Sequence, residues 1–142
     1  MAYLRTHREA TNVLLSSGDP LILATDHLED ILHRLAEIPH LRYVRIGSRI
    51  PVVLPSRILD DDSLHEIFRT FASGGKQLYV TTQFNHPREL TSASIQPVKR
   101  LQADGVITNN QTVLLKGVND HPSVMAELQA ALACVMSFNA GR

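Results

Sequence analysis

The sequence predicts an α/β protein with a parallel sheet of about four strands. Short apolar, β-branched segments begin near residues 13, 43, 78 and 106, and a segment with helical spacing of apolar residues follows each of them. A strand, a crossover helix and the next parallel strand take roughly 30 residues or more, which agrees with this spacing. Four such units in a row indicate right-handed crossovers within one sheet. Four strands do not close a barrel, so we expect either a small open sheet or part of something larger.

The first unit follows about eleven polar residues, which we expect to form a short helix or a loose arm. Residues 12–16 have the composition of a short buried strand, and the turn at residues 17–20 ends it. Asp26 followed by Glu29 is typical of a capping box at the start of a helix. The apolar residues of this helix share one face: Leu28, Ile31, Leu32, Leu35 and Ile38.

The second unit has a strand over residues 41–47, and an extended segment is expected to continue to residue 55. Asp60, Asp61 or Asp62 is expected to cap the helix that follows, because short polar side chains accept hydrogen bonds from the first turn. The buried stripe of this helix is Leu64, Ile67, Phe68 and Phe71. The Ser-Gly-Gly sequence at residues 73–75 ends it.

The third strand, residues 78–82, is apolar or β-branched on both faces, as in a strand buried within a parallel sheet. Pro87 stops the strand, and Thr91 is expected to cap the third helix. Pro97 lies inside this helix and predicts a kink or a late start, because a mid-helix proline costs about 3 kcal/mol. The inward residues are Ile95, Val98 and Leu101, and the helix ends at Gly105.

The fourth strand is expected over residues 106–115, with the polar residues 109–111 inside it. Asn119 or Asp120 is expected to cap the last helix, with Pro122 early in its first turn. The apolar face of that helix is Val124, Leu128, Ala131, Leu132 and Val135.

Composition narrows the class of protein. Fourteen basic and fourteen acidic residues cancel, so there is no general electrostatic case for nucleic acid or an anionic membrane. No apolar run approaches the ~20 residues that a bilayer span needs, and the default expectation is a cytoplasmic protein. Cys134 is the single cysteine, so a thiolate cluster cannot be held by this chain alone. Dinucleotide, phosphate-loop, paired-histidine and nucleophile-elbow motifs are all absent from the sequence.

Polar residues follow every predicted strand, and ligands of parallel α/β proteins collect outside these carboxyl ends. Residues 16–19, Ser-Ser-Gly-Asp, could offer N–H groups and a carboxylate to a zwitterionic or amino-bearing ligand, or form an ordinary turn. Arg45 and Arg49 could clamp a carboxylate or phosphate, or lie on the surface.

Two further polar groups follow the third and fourth strands. Gln83, Asn85 and His86 cluster after the third strand, although a histidine beside proline is more often structural than catalytic. The three consecutive amides at residues 109–111 are costly to bury without partners, which favours a ligand or a polar cavity beside them.

Five segments resemble the lysine 2,3-aminomutase family, in unbroken order between about residues 12 and 132. They are VLLSSGDPL (13–21), IPH (38–40), VRIGSRIPVVLP (44–55), FNHPRE (84–89) and NQTVLLKGVND (110–120). The family pattern is lost beyond about residue 135.

The resemblance implies a radical S-adenosylmethionine enzyme with a partial, six-stranded parallel (β/α) barrel, of which this chain would hold about four βα units. Such enzymes use a [4Fe–4S] cluster, S-adenosylmethionine and pyridoxal 5′-phosphate to move an α-amino group of a small amino acid, lysine first among them, to the β-carbon. By the same resemblance, the turn that holds the methionine part of S-adenosylmethionine is Ser16, Ser17, Gly18 and Asp19. Ser17 stands in place of the family's first glycine, where a Cβ crowds the approach of a ligand to the backbone.

Other positions that the resemblance places around the cofactors are Arg49, Gln83, Asn85, His86, Asn110 and Gln111. A histidine stands in place of Gln83 in several relatives, which affects substrate choice. No residue is assigned as catalytic or as a metal ligand.

Two departures from the family pattern limit the expected activity. The family's cluster sits on a Cys-x-x-x-Cys-x-x-Cys motif that this chain lacks, and Lys76, Lys99 and Lys116 do not match its Schiff-base lysine. We therefore expect a single truncated domain, residues 1–142, that is inactive alone and binds at most S-adenosylmethionine. The alternatives are a non-catalytic S-adenosylmethionine-binding module and an interaction module that self-associates through its open sheet edges.

Overall fold

The computed structural model describes residues 1–136, and residues 137–142, with the end of the predicted domain, lie outside this range. One sheet of four parallel strands forms the centre of the described chain, in the order β1-β2-β3-β4. The strands are β1 (Asn12–Leu15), β2 (Tyr43–Gly47), β3 (Gln77–Thr82) and β4 (Ile107–Asn110). Each strand pairs with the next one in sequence, which is the order found in (β/α) barrels and not in doubly wound sheets.

Helices connect the strands. They are α1 (Ala2–Thr6), α2 (Thr25–Ala36), α3 (Ile50–Val53), α4 (Ser56–Leu59), α5 (Asp62–Ser73), α6 (Ser92–Ala103) and α7 (Pro122–Met136), with short 3₁₀ turns at Pro20–Ile22 and Pro87–Glu89. The α/β class and the four βα units are as predicted, and the strand order is consistent with part of a (β/α) barrel. None of the helices within residues 1–136 has the length and apolar character that crossing a bilayer requires.

One face of the sheet is covered by helices and the other is open. Val44, Ile46, Leu78 and Val80 are fully buried against the main core, which α2 and α5 complete with Leu28, Leu32, Leu64 and Phe68. A second, smaller cluster joins α6, α7 and the segment after β3: Phe84, Val98, Leu128 and Leu132.

The open face carries alternate residues of the same strands. On β3, Tyr79 and Thr81 are only half-buried and Gln77 is exposed, so the prediction of a strand buried on both faces is wrong. Tyr43 and Tyr79 meet edge to face on this side, with ring centroids 6.1 Å apart. The open face corresponds to the interior of a barrel that these four strands do not close.

Helix starts were predicted with mixed success. Asp61 caps α5, where its Oδ1 accepts from the Leu64 N–H at 3.0 Å, and Thr91 caps α6. The capping box at Asp26 is wrong, because α2 begins one residue earlier at Thr25 without a side-chain cap. The Thr25 hydroxyl donates to Asp61 Oδ2 at 2.5 Å instead, which ties the starts of α2 and α5 together. Helix α6 runs through Pro97 from Ser92, so the expected late start does not occur.

Residues 48–55 contain the short helix α3, Ile50–Val53, where an extended segment was expected. Pro51 lies in the first turn of α3, a position that needs no backbone N–H, and the Ser48 hydroxyl accepts from the Ile50 N–H at 3.0 Å. Pro51 and the Ser48 side chain therefore stabilise a short helix, which the β-branched composition of this segment did not indicate.

The fourth strand ends at Asn110, so the predicted continuation to residue 115 is wrong. The chain turns away because Asn119, fully buried, gathers residues 111–119 into a loop. Its side chain accepts from the Leu115 N–H at 2.7 Å and donates to the carbonyl oxygens of Val113 and Asn85 at 2.8 and 2.7 Å. Asn119 therefore does not cap α7. His121 does, since its Nδ1 accepts from the Ser123 N–H at 3.3 Å.

Candidate functional site

The predicted site residues lie at one end of the sheet, in the segments that follow the carboxyl ends of the four strands. They divide into two groups. One group is bound into a hydrogen-bond network between the loops, and the other lines a cavity on the open face of the sheet. This division was not visible in the sequence, because both groups have the same polar composition.

The turn after β1 is held by Asp19. Its Oδ1 accepts from the Leu21 N–H at 3.1 Å and caps the 3₁₀ turn, while its Oδ2 accepts from the Arg49 N–H at 2.7 Å. Gly18 has a φ of +65°, a left-handed conformation in which a side chain would be strained. Ser17 is exposed at the tip of the turn. Both carboxylate oxygens of Asp19 are therefore engaged within the protein.

Arg49 extends the network to the segment after β3. Its Nη2 donates to Glu89 Oε1 at 2.6 Å, and Glu89 Oε2 accepts from the Asn85 and His86 N–H groups at 2.6 and 3.3 Å. The Arg49 Nε atom is buried and has no hydrogen-bond partner. Glu89 thus joins the second and third loops, and it was not among the predicted site residues.

Asn85 and His86 are structural in this arrangement. The Asn85 Oδ1 accepts from the Val113 N–H at 2.9 Å, which fixes the loop after β4 against the segment after β3. The His86 Nδ1 accepts from the Arg88 N–H at 3.1 Å and caps the 3₁₀ turn at Pro87–Glu89. The structural reading of a histidine beside proline is therefore the one the contacts favour.

Asn109 and Asn110 are the last two residues of β4, and Gln111 follows the strand. Asn109 and Gln111 are exposed, and the polar cavity that was expected beside the three amides is present. The Asn110 side chain is held by hydrogen bonds to the backbone of Phe84. It accepts from the Phe84 N–H at 2.7 Å and donates to the Phe84 carbonyl oxygen at 3.0 Å. The exposed pair faces the cavity described next.

A cavity of about 350 Å³ lies on the open face, near the carboxyl ends of the strands. Four predicted site residues line it, Ser16, Gln83, Asn110 and Gln111, together with Leu14, Arg45, Gly47, Thr81 and Asn109. Arg45 is the one charged residue in this lining, and its Nη2 donates to the neutral Asn12 Oδ1 at 2.8 Å. The cavity therefore has an uncompensated positive charge, surrounded by amide and hydroxyl groups.

A larger cavity, about 530 Å³, lies between α2 and α5 on the outer side of the helices. Its lining includes the apolar residues Leu32, Ile67 and Phe71, and it includes none of the residues that directly follow the four strands. Position in the fold favours the smaller cavity as the candidate site, since parallel α/β proteins bind ligands at the carboxyl ends of their strands.

The donor set tests which cofactors the described residues fit. A [4Fe–4S] cluster does not fit, because Cys134 is the single cysteine and no three His, Cys, Asp or Glu side chains gather to hold a metal within residues 1–136. Lys76 precedes β3 at the opposite end of the sheet and is not part of the smaller cavity. Its ammonium group donates to the Ile38 and Leu41 carbonyl oxygens, and burial lowers its pKa. In the smaller cavity, the Arg45 guanidinium is a group of the kind that pairs with a carboxylate.

The fold and the site together define the class: a parallel α/β protein with barrel-type strand order and a polar site at the strand ends. An Aquifex aeolicus protein provisionally named L-lysine 2,3-aminomutase is 49% identical over 136 residues, 95% of this chain and 36% of the relative. L-lysine 2,3-aminomutase of Clostridium subterminale is 44% identical over 126 residues, 89% of this chain and 29% of the relative. Glutamate 2,3-aminomutase of Clostridioides difficile is 41% identical over 130 residues, 92% of this chain and 29% of the relative.

The chain is homologous to the lysine 2,3-aminomutase family, and the resemblance drawn from its motifs is confirmed. It spans about a third of the length of the relatives it matches. No protein-family model matches the chain.

Proposed function

We propose that this chain provides the central βα units of a radical S-adenosylmethionine 2,3-aminomutase site, and that it binds the methionine part of S-adenosylmethionine without catalysing the reaction alone. The observation that carries the proposal is the cavity on the open face, in which Ser16, Gln83 and Gln111 surround the single charge of Arg45. Its relatives are named for reactions on lysine and glutamate, so a small amino acid, lysine first, is the proposed substrate of the complete site.

Arg45 is the proposed anchor of the ligand carboxylate. A guanidinium presents parallel N–H donors that match the two oxygens of a carboxylate. Arg45 donates to the side-chain amide of Asn12, which is neutral and leaves the positive charge of Arg45 uncompensated. The side-chain amides of Gln83 and Gln111 would form hydrogen bonds with the other polar atoms of the ligand's amino-acid group. S-adenosylmethionine supplies radical chemistry when it is bound beside an iron–sulfur cluster.

The network around Asp19 would keep the cavity in shape. Asp19, Arg49 and Glu89 join the first three loops by hydrogen bonds of 2.6 to 2.7 Å. Because both Asp19 oxygens are already engaged, we assign Asp19 the role of a positioning residue and not of a direct ligand contact.

Calorimetry on the 142-residue chain tests the proposal. S-adenosylmethionine should give saturable heat, and 5′-methylthioadenosine, which lacks the amino-acid group, should bind at least about tenfold more weakly. Arg45→Gln should lose a similar factor. Arg34→Gln is the matched control, because Arg34 pairs with Asp30 on the exposed side of α2. Absence of saturable heat from a folded chain, or equal affinity of the Arg45→Gln and Arg34→Gln variants, would contradict the proposal.

The second half of the proposal concerns turnover. With S-adenosylmethionine, pyridoxal 5′-phosphate, a reductant and lysine, the chain alone should form no β-amino product, because its single cysteine cannot hold the cluster. Product formation above a no-protein control would show that the chain is active alone.

A further inference from the structure

The larger cavity is a groove between α2 and α5, the helices that lead from β1 to β2 and from β2 to β3. Its volume of about 530 Å³ lies within the range of small-molecule sites, roughly 300–1,000 Å³. Leu32 of α2 and Phe71 of α5 line it and are buried, and Ile67, one turn before Phe71, is half-buried. The groove therefore offers an apolar surface to the non-polar part of a ligand.

Most of the charge around this groove is negative. Asp26 and Glu29 of α2 line it, as does Glu66 of α5. The lining has one ammonium group, that of Lys76, against these three carboxylates, when His33 is counted as neutral. Negative charge beside an apolar surface favours a ligand that is both cationic and apolar, and disfavours an anion.

Glu29 and Glu66, one from each helix, are free to bind a cation. Within residues 1–136, neither carboxylate forms a hydrogen bond or an ion pair. Asp30, the neighbour of Glu29 on α2, does not line the groove and pairs with Arg34 at 3.2 Å. The acidic side chains that line the groove on both helices are thus the ones left without a cationic partner.

Hydrogen bonds hold the groove at both of its ends. The Thr25 hydroxyl donates to Asp61 Oδ2 at 2.5 Å, which joins the starts of α2 and α5. At the other end, the Lys76 ammonium group donates to the carbonyl oxygens of Ile38 and Leu41 at 2.6 and 2.8 Å. These contacts fix the start of β3 against the segment after α2. Because the groove is formed without a ligand, little ordering of the protein opposes binding.

We propose that this groove binds an organic cation with an apolar body, such as a primary amine that carries an alkyl chain. The ammonium group would lie beside Glu29 and Glu66, and the apolar body would cover Leu32, Ile67 and Phe71. Burial of apolar area supplies the affinity, and the carboxylates select the charge. No residue lines both this groove and the smaller cavity, so the inference does not depend on the proposed S-adenosylmethionine site.

Three probes with the same eight-carbon chain test the proposal: octylammonium, octan-1-ol and octanoate. NMR titration of the methyl-labelled 142-residue chain should show saturable shifts of the Leu32 and Ile67 methyl groups with octylammonium. Octan-1-ol should bind at least about threefold more weakly, and octanoate more weakly still. Added salt should weaken the binding of octylammonium and leave that of octan-1-ol unchanged, because salt screens the attraction between charges.

Substitutions separate the charged part of the site from the apolar part. Glu29→Gln and Glu66→Gln should each weaken octylammonium about two- to fivefold without affecting octan-1-ol. Ile67→Ala should weaken both probes, because each loses apolar contact area. Glu127→Gln is the matched control, since Glu127 lies on α7 and does not line the groove. Far-UV circular dichroism confirms that each variant is folded.

Four results would overturn the proposal. Absence of saturable shifts from the folded chain would mean that the groove takes no small cation. Octan-1-ol or octanoate binding as tightly as octylammonium would mean that the carboxylates do not select the ligand. Shifts confined to methyl groups away from Leu32 and Ile67 would place the contact elsewhere. Equal octylammonium affinity of the Glu29→Gln, Glu66→Gln and Glu127→Gln variants would remove the assigned role of the two carboxylates.

Discussion

Asp19 and Arg49 are joined across thirty residues of sequence by a hydrogen bond of 2.7 Å from the Arg49 N–H to Asp19 Oδ2. The bond connects the turn after β1 to the turn after β2, and Asp19 also caps the 3₁₀ turn that follows it. One carboxylate thus fixes two of the four loops at the site.

Replacing Asp19 should therefore loosen both turns. We expect Asp19→Ala to lower the free energy of unfolding by about 2 kcal/mol, because two part-buried N–H groups lose their acceptor. Asp19→Asn, which keeps one carbonyl oxygen, should lose less. Urea denaturation measures the difference. Asp30→Ala, at an exposed position on α2, is the control and should stay within about 0.5 kcal/mol of the wild type. Equal losses for Asp19→Ala and Asp30→Ala would show that the turns do not depend on this carboxylate.

Glu89 should matter as much as Asp19, although nothing in its local sequence sets it apart. Its two oxygens accept from Arg49 and from the Asn85 N–H, both at 2.6 Å. Glu89→Gln can satisfy only one of these donors with its carbonyl, so we expect a loss of about 2 kcal/mol in unfolding free energy. The matched control is Glu66→Gln, at an exposed position on α5. If the two substitutions have the same effect in chemical denaturation, the Glu89 network does not stabilise the fold.

His65 and Asp104 form a buried pair between α5 and the end of α6. Their side chains are 0% and 3% exposed, and the second ring nitrogen of His65 contacts the Ile58 carbonyl at 2.7 Å. Removing one partner of a buried pair leaves the other without compensation, so Asp104→Ala should cost about 3 to 5 kcal/mol. The double variant with His65→Leu and Asp104→Ala should lose less than the sum of the losses for His65→Leu alone and Asp104→Ala alone.

Thermal or urea unfolding of the four proteins in this cycle provides the measurement. Arg69→Ala is a useful comparison, because Arg69 approaches Asp104 at 3.8 Å but is 56% exposed. Additive effects of the two single changes would mean that His65 and Asp104 stabilise the fold independently.

The lowered pKa of Asp61 predicts how the free energy of unfolding depends on pH. Burial alone would raise the pKa of Asp61, but hydrogen bonds from Thr25, the Leu64 N–H and Arg57, with the Arg57 charge, hold the pKa below its ordinary value of 3.8. A carboxyl whose pKa is lowered by folding stabilises the protein above its unfolded pKa, and this contribution is lost as the pH falls through the folded pKa.

Asp61→Asn should therefore be less stable than the wild type at neutral pH, and the difference should shrink as the pH falls below about 4. Asparagine is as good an N-cap as aspartate, so the change removes the charge and retains the cap of α5. Unfolding free energies across this pH range, with Asp60→Asn as the exposed control, provide the measurement. A difference that stays constant down to about pH 2 would contradict the assigned pKa direction.

Local patterns predicted much of this fold. The strand starts and the caps at Asp61 and Thr91 follow from short-range chemistry, and the polar strand ends do meet at one edge of the sheet. The conformations of residues 48–55 and 111–121 were predicted wrongly. Specific side-chain contacts determine these conformations, and the composition of the segments does not show them. Ser48 and Pro51 stabilise a short helix despite a β-branched composition, and buried Asn119 folds a loop where apolar residues suggested a strand.

The predicted site residues lie together near the carboxyl ends of the strands, but the contacts of several of them differ from those expected. Asp19, Arg49 and Asn85 were expected to face a ligand, whereas their partners are other loops of the protein. Arg45, which was considered as a clamp for a carboxylate or phosphate but was not in the cofactor set, is the charge in the cavity. Such assignments depend on contacts between residues 28 to 40 positions apart, which a single sequence does not display.

The edge-to-face pair of Tyr43 and Tyr79 gives the open side of the sheet an optical signature. The sequence has no tryptophan and three tyrosines, so two of its three fluorophores that absorb near 280 nm sit on that side. Intrinsic emission and near-ultraviolet dichroism will therefore respond to whatever comes to cover this surface, without any label being attached.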